Sequence, residues 1–132
     1  MFTKSRFTPF EQRVLREIRA VLSSEAQPIF DAQVASITLI QRHLDWSDIY
    51  FYRRRGFKVD WTGIPQFGNT TELPLAEVTF QVGGKRYKTV LTAINGHIFD
   101  LVTKPGPKSI ASSPWDKDPQ IKLLNDPMQR RT

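Results

Sequence analysis

Few side chains in this chain of 132 residues can do acid–base chemistry near neutral pH. Unperturbed, only His43 and His97 titrate there. A carboxylate joins them only if burial raises its pKa. Asp100 is the candidate for that. If strand alternation runs unbroken from the Asn95-Gly96 turn, Asp100 falls among Leu91, Ile98 and Val102 on an apolar face shared with Tyr87 and Phe80. There it would be a general base or ligand contact in a pocket between sheet and helix. The plainer alternatives are a sheet-edge carboxylate that reaches water or a backbone N–H, and a β-bulge that turns it outward.

A second group forms around His43. With Leu44 opposite Ile49, His43 faces Tyr50, Gln41 faces Tyr52, and Arg54 lies on the same side. These residues suit a polar binding surface, and equally the solvated side of an edge hairpin. His97, just after its turn, reads as an ordinary wet side chain. Arg53-Arg54-Arg55 with Lys58 is the densest basic run, but alternation sends neighbours to opposite faces. Trp46, Tyr50 and Tyr52 would supply stacking surfaces for a single strand of nucleic acid, although such residues also serve packing.

The absences are informative. Without cysteine there are no disulfides, thiolate metal sites or cysteine nucleophiles. Two histidines are too few for a histidine-rich metal centre. Phosphate-loop, dinucleotide, nucleophile-elbow and H-E-x-x-H motifs are missing. Asp116 and Asp118 stand beside prolines without the glycine loop of a calcium site. No metal and no cofactor is expected.

The elements that must position these residues start with a helix. Thr8-Pro9-Phe10-Glu11 makes a capping box with proline at the first helical position. Phe10, Val14, Leu15, Ile18, Val21 and Leu22 then recur at helical spacing, and the helix should end near Ser23–Ser24. Pro28 interrupts the chain after that helix, and residues 28–34 suit a short second one. From Ala35 the pattern turns to β, with strands around 37–44 and 49–54 joined by a turn at 45–48. Residues 56–73 read as a long loop.

Two glycine turns then fix a meander from Leu75 to Val102. Gly83-Gly84 pairs Val82 with Lys85, Phe80 with Tyr87, Val78 with Thr89 and Ala76 with Leu91. Asn95-Gly96 pairs Ile94 with His97, Ala93 with Ile98, Thr92 with Phe99 and Leu91 with Asp100. The second face begins polar and ends apolar with Val90, Ile94, Phe99 and Leu101. That apolar end needs a cover: the 28–34 segment, the C-terminal tail or another copy of the chain.

Residues 1–102 therefore read as one α+β domain, with a long N-terminal helix packed on an antiparallel sheet of about five strands. Residues 103–132 read as an extended, proline-rich, basic tail that is partly docked, with disordered last residues. Over about residues 8–102 this order of elements resembles the cystatin or NTF2-like arrangement, in which a curved sheet wraps a helix. The resemblance is one of element order only and carries no functional residue.

Net charge is +6, with +3 in residues 1–19, zero in 20–100 and +3 in 101–132. The excess sits at the ends, which favours solubility over a folded phosphate-binding face. No apolar run approaches a membrane span, and the N-terminus lacks the apolar stretch of a secretory leader, so a cytoplasmic setting without a membrane partner is expected. The leading expectation is a non-enzymatic interaction module that self-associates as a homodimer or meets a protein partner through the second face. The alternatives are a small-molecule binder or enzyme, with its pocket between helix and sheet, and weak nucleic-acid binding through the basic ends.

Overall fold

The computed structural model describes residues 7–129. Lys4, Arg6, Arg130 and Arg131, and the expectation of disorder for the final residues, lie outside them. The fold is α+β, with two short helices on a large antiparallel sheet rather than one long helix. Helix α1 spans Pro9–Val21 and α2 spans Ala26–Ser36. The Thr8 hydroxyl accepts from the Glu11 N–H, and the Glu11 carboxylate accepts from the Thr8 N–H, closing the capping box as the sequence predicts. Leu22 is extended and ends α1. Pro28 does not break α2, because it sits in the first turn, where an N–H has no helical partner to lose.

Six strands form the main sheet: β1 (Leu39–Arg42), β2 (Asp48–Tyr52), β5 (Leu73–Val82), β6 (Lys85–Ile94), β7 (His97–Lys104) and β8 (Gln120–Leu123), in the order β1-β2-β7-β6-β5-β8. Strands β3 (Arg54–Arg55) and β4 (Lys58–Val59) form a separate two-stranded ribbon inside the segment expected to be loop. The sixth main strand, β8, comes from the proline-rich segment and pairs with β5. It is held by Trp115, stacked on Phe80 at 4.3 Å, and by Asp116, which accepts from the Gly83 and Gly84 N–H groups.

All four pairs expected across Gly83-Gly84 are present. Across Asn95-Gly96 the first two are present, and then a bulge intervenes. Phe99 has no Cα partner, so Thr92 pairs with Asp100 and Leu91 with Leu101. The expected Thr92–Phe99 and Leu91–Asp100 pairs are thus displaced by one residue. The physical reason is charge. An unbroken ladder would bury Asp100 and expose Leu101, whereas the extra residue sends Asp100 out and leaves Leu101 fully buried. Thr103 follows Leu101 inward, where its hydroxyl meets that of Thr89 at 2.8 Å.

Both helices pack on one face of the sheet. Val14, Ile18, Ile49, Phe51, Leu75, Val78, Leu91, Ile98 and Leu101 are core residues there. Glu11 is also fully buried, held by Arg42 through bonds of 2.7 Å to each carboxylate oxygen. Buried Gln33 ties α2 to the β6–β7 turn. Its amide donates to the Pro65 and Gly96 carbonyls and accepts from the Ile98 N–H. Among the described residues no helix is long and apolar enough to cross a membrane.

Candidate functional site

The register brings one set of expected residues together on the outer face, away from the helices. In cross-strand order Gln41, Tyr50, Asp100 and Thr92 form a row, because directly paired residues of antiparallel strands share a face. The β1–β2 loop is longer than the expected turn, so Ile49 pairs with Arg42 rather than Leu44. A slip of two residues keeps every side chain on its expected face. His43 therefore still meets Tyr50, with ring centroids 5.5 Å apart, and the Tyr52 hydroxyl donates to Gln41 Oε1 at 3.3 Å. The bulge adds Phe99 to this cluster, 5.5 Å from Tyr50 and 6.5 Å from Tyr52.

Asp100 is a half-buried carboxylate on this face, with Oδ1 enclosed and unpaired. Burial pushes its pKa up to about 6, the negative charges of Glu72 and Asp48 add to the rise, and the Thr92 hydroxyl opposes it. Burial also raises the Tyr50 phenol, helped by Asp48 and Asp100, so the phenol stays a hydrogen-bond donor at neutral pH. His97 is stacked on Trp61 at 4.1 Å, and burial lowers its pKa. It is a packed ring rather than the wet side chain expected.

Phe80 and Tyr87 do not join Asp100. They lie on the helix side, buried and stacked 5.3 Å apart, with Trp115 against Phe80 and Arg13 over Trp115 at 3.9 Å. The expected grouping of Asp100 with Tyr87 and Phe80 fails because the bulge separates them onto opposite faces. Leu101 leaves the expected interface set for the same reason. Val90, Ile94 and Phe99 remain on the outer face, each half-buried.

The arrangement can present an aromatic and acidic surface, with one carboxylate that takes up a proton near pH 6. No group of three or more metal-binding side chains forms among the described residues. Two cavities near 330 Å³ lie elsewhere, between α1 and α2 and between α1 and the Ala111–Trp115 segment, and a third near 410 Å³ is lined by Arg86, Tyr87, Lys88 and Lys104. Sequence reasoning missed Phe99 as a member of the His43–Tyr50–Tyr52 group, and missed Thr92 and Glu72 as neighbours of Asp100. The one usable signal was the charge of Asp100 on an otherwise apolar face. No protein family, curated protein or solved structure matches this chain.

Proposed function

We propose that the chain is a non-enzymatic interaction module that pairs with a second copy of itself through the outer face of the sheet. The observation that carries this reading is that, among the described residues, neither expected cover lies over this face. Residues 28–34 belong to a helix on the other face, and β8 extends the sheet sideways. Neither lies over Val90, Val102 or Phe99, and a partner surface would bury all three.

The charges along β6 and β7 favour a second copy as that partner. Val90 and Val102 form a central cross-strand row. Two residues along the strands in one direction lies the row Lys88–Lys104, and two residues in the other lies Thr92–Asp100. A two-fold axis along the valine row sets Lys104 of each copy against Asp100 of the other, which is an isologous contact. Lys88 is already paired within its own chain, with Glu77 at 3.3 Å. The pocket reading loses its carboxylate once Asp100 leaves Phe80 and Tyr87.

Sedimentation over a wide concentration range tests the proposal. The expected result is a concentration-dependent dimer that Val90→Glu disrupts. Asp100→Lys and Lys104→Asp should each weaken it, and the double exchange should restore it. A monomer at every concentration overturns the reading.

A further inference from the structure

We infer that the β3–β4 ribbon is a docking tip for the surface of an anionic lipid bilayer. This inference is independent of the sheet-face reading. Among the described residues the two strands of the ribbon pair with each other and with no other strand, Arg54 with Val59 and Arg55 with Lys58, and Gly56 turns the ribbon with φ of 63°. At its tip Phe57 is 99% exposed, and Val59 beside it is 55% exposed. Neither belongs to the core, so packing within the fold does not account for them. A fully solvated phenyl ring forgoes the gain that burial would give.

Cations flank that residue in sequence. Arg54 and Arg55 precede it by three and two positions, Lys58 comes directly after it, and Arg53 stands at the base of the ribbon. Asp60 is the acidic group that faces them: Arg55 Nη1 lies 3.9 Å from its carboxylate, and Arg53 donates to its carbonyl at 2.6 Å. Asp60 also accepts from the Thr62 N–H, so it is already engaged. Residues 53–60 keep a charge of +3. An exposed apolar tip on a ribbon of basic residues matches an anionic interface, where the ring enters the acyl boundary while long basic side chains reach the phosphate level.

Nucleic acid fits the ribbon less well. Residues 54–59 contain no amide or hydroxyl side chain to read a base edge. A lone ring on a convex turn also offers no run of stacking platforms. The contact is superficial and reversible, and is not a span.

The test is co-sedimentation of the full chain with vesicles of phosphatidylcholine alone and with added phosphatidylserine. Retention is expected only on the anionic vesicles, with release at high salt. Phe57→Ala should weaken it about tenfold. The double variant Arg55→Glu, Lys58→Glu should abolish it. These residues are exposed, and circular dichroism verifies that each variant keeps its fold. No retention on anionic vesicles, or equal retention of both variants, overturns the inference. So does Phe57-dependent binding of a single-stranded oligonucleotide by a chain that ignores the vesicles.

Discussion

At the scale of single residues, Gln33 satisfies three backbone groups with one side chain, at 2.9 Å in each bond. Gln33→Leu removes all three at a buried position and should cost about 3 kcal/mol in urea denaturation. Arg42→Met should cost a similar amount, about 3 kcal/mol, because it strands the Glu11 carboxylate in the core. Asp100 behaves in the opposite way. Its folded pKa, about 6, lies above the ordinary value of 3.8, so the folded chain holds the proton more tightly than the unfolded chain does. Its ionisation therefore costs stability, progressively as pH rises from about 4 to about 6, and in full above that. Asp100→Asn should stabilise the chain at pH 8 by about 1 kcal/mol, a figure reduced for solvent screening, and should change little at pH 4. Denaturation midpoints at the two pH values decide this, and an equal gain at both contradicts the assignment.

At the scale of elements, the β6–β7 bulge decides the character of the outer face. Deleting Phe99 leaves Ala93 opposite Ile98, Thr92 opposite Asp100 and Leu91 opposite Leu101, now as an uninterrupted ladder. The deletion should therefore fold with core pairings unchanged, and lose only the ring that bridges Tyr50 and Tyr52. Amide exchange protection at Leu91 and Leu101 is the measurement, and its loss would show that the bulge is needed for the fold. The bulge was legible in the sequence only as one of the alternatives for Asp100, and it is the one that the register bears out. Gly83-Gly84 and Asn95-Gly96 dictate their local pairings through turn geometry, so those registers could be read from residue types. An inserted residue obeys no local rule. It is selected by the cost of burying Asp100, which appears only once the helix side of the sheet is known to be dry. The β3–β4 ribbon was illegible for another reason, since it buries nothing and so leaves no apolar period. Strand β8 lies at an edge among prolines, and its partner is more than forty positions away. Helix α2 was expected over 28–34 and runs Ala26–Ser36, because Pro28 sits inside its first turn rather than before it.

At the scale of the whole molecule, the proposed dimer joins the residue and the face. Protonating Asp100 removes its attraction for Lys104 of the other copy, so dissociation should increase as pH falls through about 6. Sedimentation at pH 5 and pH 8 checks the direction, and a dimer that tightens in acid rejects this pairing. The placement of β8 has a different consequence. Its four residues pair with Ala76–Thr79 of the ten-residue strand β5 from more than forty positions further along the chain. Whenever β8 is detached, the free backbone groups along Ala76–Thr79 can recruit a like strand from another chain. Loss of β8 would then show itself as fibril growth detected by an amyloid dye, even where the helices and the central strands still form.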